Sequence, residues 1–169
     1  MHIEEVKLTK ENLIKIKEID NTFYTKESIN LDWYLERYNK NHSAILLLDG
    51  DKVVGYIISV PIKKELYDTI INGVIINDLQ INPQMFINKS EYYYIVSCVI
   101  LEKYRSKGYA SKMLEKILNK EKKYCTLTIT TSGYHLVERY MNFKVNVYKD
   151  INVFTRDNIK KKENVWIST

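Results

Sequence analysis

Residues 92–118, YYYIVSCVILEKYRSKGYASKMLEKIL, decide the fold of this chain. Residues 92–100 are rich in β-branched and aromatic side chains, which predicts a buried β-strand. Beyond the turn that follows, apolar residues recur at helical spacing and predict an amphipathic helix. The apolar face of this helix consists of Ala110, Met113, Leu114, Ile117 and Leu118. The segment therefore predicts a strand, a tight turn and a helix in direct succession.

The turn RSKGYA, which begins at Arg105, has the composition of an anion-binding site. The first backbone N–H groups of a helix have no partner within the helix, and the helix dipole adds partial positive charge there. Gly108 lets the backbone approach a phosphate closely, and Arg105 and Lys107 add charge. Ala110 is small, and Ser111 offers a hydroxyl group. These features predict that the turn binds a pyrophosphate.

The rest of the chain predicts strands and helices within a single domain, residues 1–169. The length of 169 residues fits one domain, and neither an internal repeat nor a linker divides it. In order, the other predicted elements are a strand near 2–7, a helix capped by Thr9, a helix capped by Ser28, a hairpin over 44–60, a strand at 125–130, a short helix at 133–141 and closing strands at 143–150 and 151–156. Residues 63–90 predict only a short helix, a turn and irregular chain. The fold class is therefore mixed α/β.

Composition and charge exclude several classes of protein. The apolar run at 44–48 is far too short to cross a membrane, and the charged N-terminus lacks the apolar core of a signal peptide, so we expect a cytoplasmic protein. Cys98 and Cys125 lie in strand-like runs and do not form a disulfide framework. The 3 histidines have no metal-ligand spacing, so we expect no metal. The net charge of +5 suits an anionic partner, either a phosphate-bearing cofactor or a nucleic acid.

The turn and its flanks resemble the acetyl-CoA-binding motif of the GNAT superfamily of N-acetyltransferases, Arg/Gln-x-x-Gly-x-Gly/Ala, which reads RSKGYA at 105–110. Ile100 stands where the family usually places Val, and Tyr104 matches the common aromatic residue before the Arg. The segment VERYMNF at 137–143 is similar to the family's Leu-Tyr-Glu-Lys-x-Gly-Phe. The resemblance is good over 92–145 and extends to the remainder only in the order of elements.

This resemblance implies a fold, a cofactor and a set of binding residues. The implied fold is a central mixed, mostly antiparallel sheet of six or seven strands with about four helices, in which the strands near 92–100 and 125–130 splay apart at the cofactor site. The implied co-substrate is acetyl-CoA, whose pantetheine arm pairs with β-strand backbone while the turn wraps the pyrophosphate. The implied cofactor-binding residues are Cys98, Val99, Ile100, Arg105, Ser106, Lys107, Gly108, Tyr109, Ala110, Ser111 and Thr131.

The catalytic positions of the family are where this sequence departs from the pattern. Glu138 occupies the position of the Tyr that often protonates the departing CoA thiolate, and Tyr134 shares its helix face one turn earlier. Glu138 is either an acid or base or a solvated surface residue, and both interpretations stay open. At the family's other base position stands Tyr94, for which we favour a packing role, because a phenol with an ordinary pKa is a poor base.

We therefore expect an acyltransferase that moves an acetyl group from acetyl-CoA to a primary amine of a small-molecule or peptide acceptor by direct attack. One alternative is a non-catalytic acetyl-CoA-binding sensor or scaffold. Another is an acetyltransferase acting on charged tRNA, which ranks last because no nucleic-acid-binding motif supports it. The acceptor site is expected to involve residues 20–40 and 60–90. We expect no membrane partner and a monomer or homodimer.

Overall fold

The computed structural model describes residues 1–23, 30–38 and 41–157 of the chain. One sheet contains all seven strands, β1 (His2–Lys7), β2 (Ser43–Asp49), β3 (Lys52–Pro61), β4 (Tyr92–Ile100), β5 (Lys123–Thr128), β6 (Asn142–Tyr148) and β7 (Ile151–Arg156). The α-helices are α1 (Lys10–Phe23), α2 (Leu31–Arg37), α3 (Lys64–Ile71), α4 (Tyr109–Ile117) and α5 (Thr131–Val137). The predicted mixed α/β class is confirmed, and the described residues form five α-helices where about four were expected.

The strand order is β1-β2-β3-β4-β5-β7-β6. Every neighbouring pair is antiparallel except β4 and β5, which run parallel. A parallel pair needs a crossover connection, and α4 provides it. The sheet is therefore mixed and mostly antiparallel, as the resemblance implied.

The parallel strands β4 and β5 pair along only part of their length. Its register runs from Tyr92 opposite Lys123 to Ile95 opposite Thr126. Beyond Ile95, β4 continues to Ile100 paired with β3 alone, while β5 stays paired with β7. The two central strands thus splay apart at their carboxyl ends, which confirms the expected splay.

Helices cover both faces of the sheet and enclose two apolar cores. Helices α1, α2 and α3 cover one face, here called the α1 face, and α4 and α5 cover the other, the α4 face. Leu13 and Ile16 of α1 are fully buried in the first core, and Met113 of α4 is fully buried in the second. Truncating one such side chain to Ala typically costs about 2–5 kcal/mol, so both layers fix the sheet between them.

The caps and turns of the first half follow local rules. The Thr9 hydroxyl accepts a hydrogen bond from Asn12 N at 3.3 Å and starts α1, as predicted. Helix α2 starts instead from Asn30, whose side chain accepts from Trp33 N at 2.9 Å. Ser28, the predicted cap, lies outside the described residues. The hairpin turn between β2 and β3 has Gly50 at φ 59°, a conformation that favours glycine.

The segment between β3 and β4 forms the expected short helix, α3, and two short 3-10 turns that were not predicted, Asp78–Gln80 and Pro83–Met85. It packs on the α1 face, where Leu66, Tyr67 and Ile70 are buried. Gly73 has φ 71°, and a Cβ atom there would lie 2.6 Å from Cγ1 of Val147. The segment therefore docks tightly against β6 at a point where only glycine fits.

Candidate active site

The turn after β4 has the conformation that its glycine predicts. The chain leaves Ile100, makes a short 3-10 turn and enters α4 through two left-handed residues, Ser106 at φ 59° and Gly108 at φ 75°. Gly108 is the N-cap of α4. A Cβ atom on Gly108 would meet no heavy atom within 4 Å. The backbone conformation therefore favours glycine, and the space above it is open to a ligand.

Helix α4 begins directly at this turn. Lys112 N donates to the Gly108 carbonyl at 3.1 Å, so the N–H groups of Tyr109, Ala110 and Ser111 precede the first intrahelical bond. The side chain of Lys107 is exposed beside them. Free N–H donors, the helix dipole and a nearby ammonium group make this end of α4 suited to a pyrophosphate.

Two side chains hold the turn in place. Arg105 Nε donates to the Ile100 carbonyl at 2.9 Å, and its guanidinium lies 4.6 Å from the ring centre of Phe23. Tyr104 is buried, and its hydroxyl donates to Asp49 Oδ2 at 2.7 Å. Arg105 therefore ties the turn back to the end of β4 as well as adding positive charge.

The splay between β4 and β5 leaves polar groups that acetyl-CoA could pair with. The Thr126 hydroxyl donates to the Ile95 carbonyl at 2.8 Å, where the pairing of the two strands ends. The Thr128 hydroxyl, two residues further, is buried and has no hydrogen-bond partner in the described part of the chain. A buried unpaired hydroxyl costs roughly 1–3 kcal/mol, so the site favours a ligand that brings polar groups. The amide-bearing pantetheine arm fits this requirement.

Residues 98–100 line the β4 side of the splay. Val99 and Ile100 are buried, and Cys98 is partly buried. Desolvation raises the pKa of the Cys98 thiol to about 12. Because the thiolate is the nucleophilic form of cysteine, Cys98 is inert and contributes backbone and packing to this edge.

The predicted residues of the later helix lie on or next to α5, which follows β5 along the chain. Thr131 is the first residue of α5 and is exposed, next to the N-cap Thr130, whose hydroxyl accepts from Gly133 N at 3.1 Å. The Tyr134 ring packs against Phe154 of β7 with ring centres 5.1 Å apart. The Thr130 cap and the packing of Tyr134 on Phe154 place the start of α5 beside the end of β5.

Glu138 is the C-cap of α5, and its side chain is 43% exposed. Its carboxylate lies 2.7 Å from Nδ1 of His135. Tyr140, two residues on, donates to Glu115 Oε1 of α4 at 2.8 Å. Glu138 thus has a partner on its own helix at the protein surface.

The structure also brings together a polar cluster that the sequence did not reveal. Asp20 of α1 accepts hydrogen bonds from the phenols of Tyr34 in α2 and Tyr56 in β3. The Tyr56 hydroxyl lies 3.0 Å from Oγ of Ser97 in β4. Burial raises the pKa of the Asp20 carboxyl, and the two phenol bonds partly offset this effect. These four residues are here called the Asp20 cluster.

A bulge in β4 turns Ser97 toward this cluster. Ile58 pairs with Ser97 and Ser59 with Ile95, which leaves Val96 as an extra residue. A β-bulge of this kind re-aims the following side chain. Ser97 is therefore directed to the α1 face, beside the splay. In the sequence, the available signal was Asp20 itself, a carboxylate seven residues after Leu13 on the buried stripe of α1.

Tyr94 lies close to the cluster in the same core. It is 1% exposed and donates its phenol proton to Asp78 from the segment between β3 and β4. Burial raises the pKa of Asp78 to about 6, while the hydrogen bond from Tyr94 and the charge of Arg37 act to lower it. The packing role expected for Tyr94 is confirmed by this burial.

Two further observations on the described residues concern metal binding and membrane-spanning helices. Within residues 1–23, 30–38 and 41–157, no group of three or more His, Cys, Asp or Glu side chains could hold a metal ion. In the same part of the chain, no helix is both long and apolar enough to cross a membrane.

Several solved structures share this architecture. The loading GNATL domain of CurA from Lyngbya majuscula has a TM-score of 0.65 at 13% identity, with 93% of this chain and 98% of that chain covered. The ribosomal-protein-S18-alanine N-acetyltransferase of Escherichia coli has a TM-score of 0.65 at 10% identity, with 98% and 99% covered. Diaminobutyrate acetyltransferase EctA from Paenibacillus lautus, in complex with L-2,4-diaminobutyric acid and coenzyme A, has a TM-score of 0.61 at 10% identity, with 93% and 95% covered.

At these low identities, the structural similarity shows a shared fold alone. No curated protein sequence matches the chain. The model of the acetyltransferase (GNAT) family, however, matches residues 13–143, which is most of the chain. Its match includes the turn, the splayed strands and the Asp20 cluster. The chain therefore belongs to the GNAT acetyltransferase family.

Proposed function

We propose that this protein transfers the acetyl group of acetyl-CoA to a primary amine of a small molecule or peptide by direct attack. The observation that carries this proposal is the splay of β4 from β5 immediately before the left-handed turn at Gly108. A thioester held along β4 would place its pyrophosphate at the start of α4 and its acetyl group beside the bulge. That geometry suits transfer to an amine entering from the α1 face.

Two physical effects would supply most of the rate enhancement. The backbone N–H near Val99 would polarise the thioester carbonyl, because a fixed donor stabilises the negative charge that develops on oxygen. Holding the amine and the thioester in one cleft would replace a bimolecular encounter by a positioned reaction. Glu138 and Tyr134 are the side chains proposed to assist proton transfer.

The names of two structural neighbours support an amine acceptor. EctA is a diaminobutyrate acetyltransferase, and its ligand L-2,4-diaminobutyric acid is a small amino acid. The Escherichia coli enzyme is an N-acetyltransferase for an alanine of a ribosomal protein. Since these acceptors differ in size, they support the reaction class and leave both small and peptide amines as candidates for this chain.

A turnover assay tests the proposal. Purified protein and acetyl-CoA would be incubated with a panel of diamines, amino acids and short peptides, and free CoA would be measured with a thiol reagent. We expect CoA release above the rate without amine for at least one acceptor class, and mass spectrometry should find the acceptor heavier by one acetyl group. Acetyl-CoA binding by calorimetry without turnover on any amine would support the non-catalytic sensor instead.

A further inference from the structure

We propose that Ser97, Tyr56 and Asp20 form a relay that carries the proton of the acceptor amine from the splay to a buried carboxylate. This inference rests on the proposed acetyl transfer and assigns it a proton acceptor. Ser97 would touch the amine, while Tyr56 and Asp20 would act through it as positioning residues.

The hydrogen bonds of the cluster have a defined direction. Tyr56 has one phenol proton and donates it to Asp20, because a carboxylate can only accept. The contact of 3.0 Å between the Tyr56 and Ser97 oxygens therefore has Ser97 as its donor. The chain of donors runs from Ser97 through Tyr56 to Asp20, and a lone pair of the Ser97 oxygen remains available to the cleft.

The two ends of the chain have the environments that a relay needs. Ser97 is partly exposed and follows the point where β4 loses β5, so an amine in the splay can reach it. Asp20 is only 8% exposed, and its hydrogen-bond donors are the neutral phenols of Tyr34 and Tyr56. Burial disfavours the charged carboxylate more than the two phenol bonds favour it, and this raises the pKa of Asp20 and makes it a stronger base than a surface carboxylate.

The transfer balances as follows. The amine nitrogen attacks the thioester carbon, the C–N bond forms, and the carbonyl electron pair moves to oxygen. The nitrogen, now cationic, passes its proton to the Ser97 oxygen, while Ser97 passes its own proton to Tyr56 and Tyr56 passes its proton to Asp20. The electron pair on oxygen re-forms the carbonyl, the C–S bond breaks, and CoA leaves as a thiolate that water protonates. After the product leaves, Asp20 returns its proton to solvent along the same chain.

The chain itself offers a matched control. Tyr34 and Tyr56 each donate one phenol bond to Asp20, and both rings are nearly fully buried. Only Tyr56 continues to Ser97. Replacing either Tyr by Phe removes an equivalent bond to Asp20, but only Tyr56→Phe interrupts the relay.

The experiment compares these two variants with the wild-type protein on an accepted amine. We expect Tyr56→Phe to lower kcat by about 100-fold or more, since general acid–base groups contribute at least about that factor. Tyr34→Phe should change kcat by less than about threefold, and the Kd of acetyl-CoA should stay unchanged in both. The rate of the wild-type protein in mixtures of H2O and D2O should curve with deuterium content, because several protons move together, and the curvature should disappear in Tyr56→Phe.

Ser97 provides a second test that does not depend on a buried ring. Ser97→Ala should lose as much kcat as Tyr56→Phe, and Ser97→Thr, which keeps the hydroxyl, should recover most of it. Equal losses of kcat in Tyr56→Phe and Tyr34→Phe, or full activity in Ser97→Ala, would overturn the relay while leaving acetyl transfer intact. A wild-type protein that transfers acetyl to no amine would overturn the proposed function and the relay with it.

Discussion

The turn at 105–110, which we propose binds the cofactor, and the Asp20 cluster are built by the chain in different ways. The turn is one continuous segment in which Arg105 bonds the carbonyl five residues earlier. The cluster joins α1, α2, β3 and β4, and its contacts span 36 residues from Asp20 to Tyr56 and 41 from Tyr56 to Ser97. An anion site can therefore be built locally, whereas a buried proton acceptor needs the whole fold around it.

The largest expected effect tests the turn that contains Gly108. Gly108→Val should raise the Kd of acetyl-CoA by about 100-fold, equivalent to ~2.7 kcal/mol, because a β-branched residue at φ 75° forces the start of α4 to rearrange. Isothermal calorimetry measures this change. Gly50→Val is the matched control, since Gly50 also has a positive φ, 59°, and open space around it, yet lies in the β2–β3 turn. Unchanged affinity in a folded Gly108→Val protein would remove this turn as the cofactor site.

The next largest effect concerns Asp78, which accepts a hydrogen bond from Tyr94 in the same core as the Asp20 cluster, and it depends on pH. Asp78 has a pKa of about 6, above its ordinary value, so the folded protein keeps a proton that the unfolded chain releases. Its contribution to stability is therefore present at low pH and is lost as pH rises through about 6. Relative to Asp78→Asn, the free energy of unfolding of the wild-type protein should fall by up to roughly 2 kcal/mol between about pH 4 and 7.

Denaturant unfolding of the wild-type protein and of Asp78→Asn across that pH range measures this difference in the free energy of unfolding. Titration of the other groups affects both proteins equally and therefore cancels in the comparison. Asp78 is packed against Tyr94, and the charge of Arg37 lies near. Parallel curves for the two proteins would show that Asp78 titrates as an ordinary surface carboxyl.

A smaller effect is expected where the segment between β3 and β4 docks on β6. Gly73→Ala and Gly50→Ala both place a Cβ atom at a positive φ, which costs roughly 1–2 kcal/mol. Only the Cβ at residue 73 also meets Val147, at 2.6 Å. We therefore expect Gly73→Ala to lower the free energy of unfolding about 1 kcal/mol further than Gly50→Ala, with overpacking as the cause. The double variant Gly73→Ala/Val147→Ala should recover part of that difference, and identical losses in the two single variants would contradict the docking.

The smallest effects are expected at the residues chosen from the family pattern. Glu138→Gln and Tyr134→Phe should each lower kcat by less than about 100-fold, the lower end of the range for general acid–base groups. Glu138 is exposed and bonded to His135, and Tyr134 packs on Phe154. Steady-state kinetics with saturating acetyl-CoA measures both, and Glu121→Gln, a change at an exposed residue, serves as the control. A loss of about 1000-fold with cofactor binding intact would identify a true acid or base.

The comparison also explains which parts of the site could be predicted. The strand at 92–100, the turn with Gly108 and the amphipathic α4 were correctly predicted, because each depends on periodicity or on local backbone geometry. The short helix and the turn expected within 63–90 are confirmed as α3 and the turn at Gly73. The start of α2 differs, because Asn30 caps the helix and Asn and Ser are almost equally good N-cap residues. Asp20, Tyr56 and Ser97 were not singled out at all.

By itself, the sequence determined the mixed α/β class, the position of the turn that we propose binds an anion, and the glycine that shapes this turn. These features follow from interactions within a few residues, where side-chain pattern and φ preference are sufficient. Only the tertiary structure decided that the β4–β5 pairing ends at Ile95, which way the bulge turns Ser97 and which phenols reach Asp20. Those outcomes depend on strand register and on burial between distant elements, because a one-residue shift in register would direct Ser97 to the other face of the sheet.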